Sequence, residues 1–190
     1  MDYLPIPFFK HNIMACVLTT GRKEPCKDSV GGLTKVYFTD FDAFDRSDCT
    51  FSGQTVTGIT VTSKSVWQFD LKGTSTFEQT INSSRENGTV FYDQILTLDL
   101  HKLDAATHDE LALIVAARPK IFVEDNNGNI FIAGLDYGMD VNGGTIATGS
   151  ALGDKSGYNL TLQSSEKQAA NFYTGTLSTD FTIETTQIDA

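Results

Sequence analysis

The sequence predicts a mainly β fold, an antiparallel sandwich or barrel with one flanking α-helix at about residues 107–118. Three features support this prediction. Apolar and polar residues alternate over several short segments, which is typical of half-buried strands. One segment has helical periodicity behind a capping motif. Polar turn residues separate neighbouring apolar runs, as they do in hairpins. With 190 residues, 40% of them hydrophobic, the chain is long enough to bury a full core.

Strand alternation is clearest in residues 96–101 and 158–163, where every second residue is apolar and the residues between are mostly polar. We expect the apolar series to face a core and the polar series to face outward. An outward polar face is either an ordinary solvated surface or, if several subunits join their sheets into a ring, the wall of a channel. The predicted channel-facing residues are Thr97, Asp99, Asn159, Thr161 and Gln163.

Residues 66–103 are predicted to form one long hairpin that projects from the body. Alternating segments lie on both sides of a polar stretch, Asn82–Gly88, which has the composition of a turn. Its tip contains Arg85, Glu86 and Asn87. A projecting hairpin usually has a partner, so we expect these tip residues to contact another subunit.

The predicted helix begins at a capping box, Thr107–Glu110, in which a hydroxyl and a carboxylate satisfy free backbone amides. Leu111, Ile114 and Val115 share one face, which we expect to dock on a sheet. Pro119 ends the helix because it has no N–H and clashes with the preceding turn.

A second, tighter hairpin follows the helix. Two apolar runs, residues 121–123 and 130–132, flank Asn126–Asn129, whose residues tolerate positive φ. A single helix among strands is therefore the expected architecture.

The chain divides into three parts by composition. Residues 1–33 form an amino-terminal extension and arm, residues 34–163 the β domain, and residues 164–190 a carboxy-terminal tail that we expect to be partly mobile. Phe181–Glu184 has the pattern of a final edge strand. Because the first thirteen residues lack a periodic signal, Met14 is a candidate for the native start.

Charge and cysteine content narrow the functional class. A net charge of −10 argues against a protein that grips nucleic acid through a basic surface. The three cysteines cannot all pair within one chain, which favours a reducing cytoplasm as the place of synthesis. The sequence shows neither an apolar run of about 20 residues nor a signal peptide, so we expect no membrane partner.

No catalytic motif is recognisable, and we expect neither an enzyme nor a bound cofactor or metal ion. The acidic run Asp40, Asp42, Asp45 and Asp48 has no specific spacing, and phenylalanines interleave with it. The run and Trp67 nevertheless leave a carbohydrate-binding module or glycosidase as an alternative.

Several segments resemble tail tube-type structural proteins from tailed bacteriophages of gut bacteria. The resemblance covers roughly Met14 to Phe172, and the first thirteen residues depart from it. The segments that carry it are Met14–Arg22, Pro25–Asp28, Gly31–Leu33, Leu71–Ser75, Gln79–Thr89, Phe122–Asn129 and Gly153–Tyr158.

The resemblance implies a six-fold ring of identical subunits whose inner sheets line a channel. Rings would stack into a tail tube that conducts DNA during ejection, with the arm, the hairpin and the tail as stacking devices. The partners would be the chain itself, other tail proteins, and DNA that passes without specific binding. The protein would be assembled in the host cytoplasm and located in the virion tail.

Six subunits would carry a charge of about −60, so an acidic channel wall would not condense DNA phosphates. Between rings, cations of the arm and hairpin would meet acidic neighbours. The contact candidates are Arg22, Lys23, Lys27, Arg85, Glu86 and Asn87. Another ring of the same virion, such as a terminator, hub or neck component, is the main alternative.

Overall fold

A computed structural model describes residues 20–72 and 74–185. It is mainly β, with 47% of residues in strands and 13% in helices, which confirms the predicted class. The helices are α1 (Ala105–Ala116) and the short α2 (Leu177–Asp180), with 3₁₀ turns at Phe41–Ala43 and Arg46–Asp48. The strands are β1 (Leu33–Thr39), β2 (Cys49–Ser52), β3 (Thr55–Ile59), β4 (Ser65–Asp70), β5 (Thr76–Ser84), β6 (Thr89–His101), β7 (Lys120–Asp125), β8 (Ile130–Ala133), β9 (Asp140–Ala147), β10 (Gly157–Glu166), β11 (Asn171–Tyr173) and β12 (Thr182–Glu184).

The strands form two sheets. The large sheet has eight strands in the order β12-β4-β1-β7-β8-β11-β3-β2, and the small sheet has four in the order β5-β6-β10-β9. All neighbours in the small sheet are antiparallel. In the large sheet, the pairs β11–β3 and β12–β4 are parallel, so this sheet is mixed.

One hydrophobic core lies between the two sheets. The predicted apolar series, Leu96 to Leu100 on β6 and Tyr158 to Leu162 on β10, is buried there as the alternation requires. The large sheet contributes Val36, Ile121 and Val123 to the same core, and α1 covers its margin. The small sheet therefore has one apolar face against the core and one outward face.

A second core lies on the other face of the large sheet. Phe122 is fully buried at its centre, and its ring centroid lies 5.4 Å from that of Tyr173 and 5.5 Å from that of Phe181. Val56 of β3 and Ile183 of β12 pack into this core from near the two ends of the sheet. The large sheet therefore curls around its second core.

The helix begins earlier than the sequence predicted. Asp104 is its N-cap, and its carboxylate accepts a hydrogen bond from the Thr107 backbone N–H at 2.8 Å. The predicted flanking helix, at about 107–118, is therefore present but shifted by two residues. The capping box starting at Thr107 is wrong, because Asp104 is the N-cap. Leu111 and Ile114 are buried as predicted, but Val115 is 55% exposed because only a narrow stripe of the helix contacts the core.

This stripe predicts unequal effects of truncation along α1. Ile114→Ala should lower the free energy of unfolding by about 2 to 4 kcal/mol, because it removes buried methyl groups and leaves a cavity. Val115→Ala should change it by less than about 0.5 kcal/mol, because that side chain is mostly in water. Urea unfolding of both variants measures the difference, and equal losses would contradict this docking.

The long hairpin is shorter than the predicted residues 66–103. It consists of β5 and β6, which pair continuously from Thr76 with Thr97 to Ser84 with Thr89. Residues 65–70 form β4, which instead pairs with β1 and β12 in the large sheet. The prediction failed there because alternation identifies a strand without identifying the sheet that it joins.

The tight hairpin and the final edge strand are confirmed as β7–β8 and β12. The predicted domain boundary at residue 163 is wrong, because β10 continues to Glu166 and β11 lies inside the large sheet between β8 and β3. The proposed start at Met14, and most of the amino-terminal extension, lie outside the described residues.

Candidate functional site

The outward face of the small sheet brings together the five polar residues predicted from alternation. Across β6 and β10, Asp99 lies opposite Asn159 and Thr97 opposite Thr161. Gln163 follows on the same face of β10, and the neighbouring strands add further threonines, Thr76 and Thr145, in register. We call this surface the polar face. It spans all four strands of the small sheet.

The polar face is neutral to acidic. None of the four strands contains a lysine or an arginine. Its carboxylates are partly compensated, because Asn82 donates a hydrogen bond of 2.7 Å to Asp93, and Lys155, from the loop before β10, pairs with Asp99. Such a face offers hydrogen-bonding groups but no cluster of the cations that bind a polyanion.

Both edges of the small sheet lack a partner strand in the described part of the chain. The edge strands are β5 and β9. On β9, residues 142–147 are exposed, and the side chain of Ile146 is 58% exposed. A long uncovered edge with apolar side chains readily pairs with another chain. The sheet can therefore be extended on both sides.

The tip of the β5–β6 hairpin projects beyond the small sheet. Strand β10 ends opposite Tyr92, so β6 continues for three more residues, about 10 Å, with only β5 beside it. Arg85, Glu86 and Asn87 are exposed at the tip, and the Asn87 N–H donates a 3.2 Å hydrogen bond to the Ser84 hydroxyl. Two apolar residues on one face of the hairpin, Ile81 and Val90, are exposed by 65% and 54%, and we call them the hairpin patch. Phe91, exposed by 41%, lies on the opposite face.

The predicted arm cations lie far from the hairpin tip. Arg22, Lys23 and Lys27 are exposed in the extended segment before β1. The base of the arm is fixed to the β7–β8 turn, where Val30 N–H donates to Asn127 Oδ1 at 2.9 Å and Asn127 Nδ2 donates to Val30 O at 2.8 Å. This base lies beside the beginning of β5, whereas the hairpin tip lies at its far end. The two predicted groups of contact residues therefore belong to different surfaces.

A groove of about 430 Å³ was not predicted from the sequence. It lies between β4 and β12 on one side and the start of α1 and the end of β6 on the other. Alternation on β4 indicated that Trp67 and Phe69 share a face, but nothing in the sequence placed α1 opposite them. We call it the aromatic groove; among its lining residues are Trp67, Phe69, Asp70, His101, Glu110 and Glu184.

Two acids of the run, Asp45 and Asp48, have structural partners. Asp48 accepts a 2.8 Å hydrogen bond from the Asp45 N–H, and together they cap a 3₁₀ turn. Within that turn, Arg46 pairs with Asp136 at 2.6 Å. None of the four acids of the run lines the aromatic groove. Within the described ranges, no group of three or more histidine, cysteine or acidic residues is placed to hold a metal ion.

Three ionisable groups near the acidic run, those of Lys120, Glu166 and Cys49, are buried or partly buried. Lys120 is fully buried, donates to the Phe44 carbonyl and lies 3.5 Å from an Asp45 oxygen. Burial raises the pKa of the Glu166 carboxyl, although it accepts a 3.0 Å hydrogen bond from the Tyr137 N–H. Burial also raises the pKa of the Cys49 thiol to about 11, so this cysteine is not an activated nucleophile at neutral pH.

Comparison with protein families, curated proteins and solved structures finds no match. No helix in residues 20–72 or 74–185 is long and apolar enough to cross a membrane. The class of protein that the geometry defines is therefore a two-sheet β domain with one extendable sheet. The outward face of that sheet is polar, and its four strands contribute no lysine or arginine to it.

Proposed function

We propose that this chain is a structural virion protein that forms hexameric rings, which stack into the tail tube of a bacteriophage and conduct DNA during ejection. The observation that carries the proposal is the small sheet, which has two edges without a partner strand in the described residues, an apolar face against the core and a polar face to which its four strands contribute no lysine or arginine. The segments that resemble tail tube-type proteins agree with it, since the β5–β6 hairpin includes one of them.

The strand directions of the small sheet favour closure of a ring. The four strands alternate in direction, so β5 and β9 run in opposite directions. When copies are related by rotation about one axis, β5 of one copy meets β9 of the next in an antiparallel pair. Each copy thus makes a head-to-tail contact, and a rotation that closes gives a cyclic ring. An even number of strands per copy keeps the alternation unbroken around the ring.

The size of such a ring fits a conduit. Six copies of a four-stranded sheet make a barrel of 24 strands, which closes without a free edge. With strands about 4.8 Å apart and tilted by about 40°, the barrel is about 48 Å across between backbones. Side chains narrow this channel but leave a passage for a DNA duplex.

The charge of the polar face is compatible with the passage of DNA along it. Asp93, Asp99 and Glu78 lie on this face, and no cation of the four strands opposes them. Phosphates passing such a wall are repelled or contacted weakly, so DNA slides without being held. Passage, and not binding, is therefore the proposed role of Thr97, Asp99, Asn159, Thr161 and Gln163.

Electron microscopy and light scattering of the purified full chain test the proposal. We expect six-fold rings or hollow tubes for the unmodified chain. Ile146→Asp should remain folded but monomeric, because it places a charge at the β9 edge where the next copy pairs. Leu113→Asp is the control, since its side chain is also exposed, at 65%, but lies on α1. Monomers of the unmodified chain at every concentration would contradict the proposal.

A terminator, hub or neck ring of the same virion is the second candidate, because the closure argument applies to any ring built from this sheet. The two candidates differ in copy number. A tube protein repeats along the tail axis, whereas a terminator, hub or neck ring occurs once. Labelling the protein in purified virions and counting copies by mass separates them.

A further inference from the structure

We propose that the β5–β6 hairpin tip of one copy docks in the aromatic groove of a second copy in the adjacent ring. This inference rests on the proposed function and identifies the surface that receives the hairpin. It is carried by the positions of the two surfaces, by their exposed apolar side chains and by their charges.

The two surfaces lie at opposite ends of the small sheet. The hairpin tip precedes β6 at Thr89, and the aromatic groove begins where β6 ends, at Leu100 and His101. The strand between them has 13 residues and spans about 40 Å. In rings stacked with the same polarity, one end of each subunit faces the opposite end of the next. Stacking therefore brings each hairpin tip towards a groove of another copy.

Apolar side chains are exposed on both surfaces. The hairpin patch, Ile81 and Val90, lies on one face of the hairpin, and Val90 is past the end of β10. The groove offers the partly exposed rings of Trp67 and Phe69. Pairing the two surfaces removes apolar area from water on both sides, which supplies a driving force for association.

The hairpin tip offers one cation to an acidic groove. Arg85 is the only lysine or arginine in the hairpin, residues 76–101, and it is exposed at the tip beside Glu86. The groove carries three carboxylates, of Asp70, Glu110 and Glu184, against one ammonium group, that of Lys72. Within the described residues, neither Glu110 nor Glu184 has an ion-pair partner, so an incoming guanidinium can pair with either.

A charge exchange tests the contact in the full chain. Arg85→Glu should leave rings intact but lower the fraction of protein that pellets as tubes at least tenfold. Adding Glu110→Arg or Glu184→Arg to Arg85→Glu should restore tubes, because the pair is re-formed with its signs reversed. Adding Asp42→Arg, an exposed acid outside the groove, should not restore them.

A matched pair of valines tests the apolar part. Val90 is 54% exposed on the hairpin and Val115 is 55% exposed on α1, so glutamate at either site leaves its charge in water. Only Val90→Glu should block stacking. Tubes that survive Arg85→Glu and Val90→Glu, or a defect that neither groove variant rescues, would overturn this inference and leave the tube proposal standing. A chain that forms no rings would overturn both.

Discussion

Deletion of residues 82–88 is expected to give a folded protein that forms rings but no tubes. The deletion removes the projecting part of the hairpin, and Thr89–Phe91 then provides a short turn between Ile81 and Tyr92, which already lie opposite each other. The rest of β5 and β6 keeps its register, so the edges that close the ring are unchanged. Negative-stain microscopy and sedimentation measure the loss of tubes.

The control for this deletion is the β9–β10 loop, which is also exposed and lies at the other end of the small sheet. Leu152, at its tip, is fully exposed, and Leu152→Ser should leave ring closure unchanged. Normal tube growth by the chain lacking residues 82–88 would refute the role of the hairpin in stacking. Loss of rings as well as tubes would show that the hairpin acts in closure instead.

Phe122→Ala is expected to lower the free energy of unfolding by about 3 to 5 kcal/mol. Phe122 has no exposed surface, and its ring lies against those of Phe44, Tyr173 and Phe181 at centroid distances of 5.8, 5.4 and 5.5 Å. Truncation leaves a large cavity in the second core, which the rigid large sheet cannot fill. Urea unfolding followed by tryptophan fluorescence measures the loss.

Phe172→Ala provides the matched comparison for Phe122→Ala. Phe172 is 46% exposed, and its ring is tilted against that of Phe131 at a centroid distance of 4.6 Å. Its truncation should cost less than about 1.5 kcal/mol, because the side chain is half in water before the change and leaves no closed cavity. Equal losses for the two variants would contradict the placement of the second core.

Local sequence signals predicted the elements that depend on neighbouring residues. Alternation identified β6 and β10 and assigned their buried faces correctly, because the side-chain period of a strand is fixed by its backbone. The β7–β8 turn was predictable from Asn126–Asn129, and the structure adds that Asp125 Oδ1 accepts the N–H groups of Asn127 and Asn129, each at 2.8 Å. The predicted start of α1 was two residues too late. Asp104 and Thr107 are both suitable N-cap residues and lie within one turn of each other, and the helix begins after Asp104.

Features that depend on distant parts of the chain were not predictable in this way. Nothing near β4 reveals that its partners are β1 and β12, which are separated from it by more than 25 and 110 residues at their nearest ends. The aromatic groove combines three strands from the two sheets, β4, β12 and β6, with α1, so it exists only after folding. The shared polar face was predictable, because its members follow from alternation on strands that proved to be neighbours.

Three-dimensional reconstruction of the assembled protein by cryo-electron microscopy tests the central claim most directly. The account predicts a closed six-fold ring in which β5 of each copy pairs with β9 of the next, and in which Thr97 and Thr161 face the axis. Rings in which the polar face points outward, or in which β5 and β9 remain unpaired between copies, would contradict it.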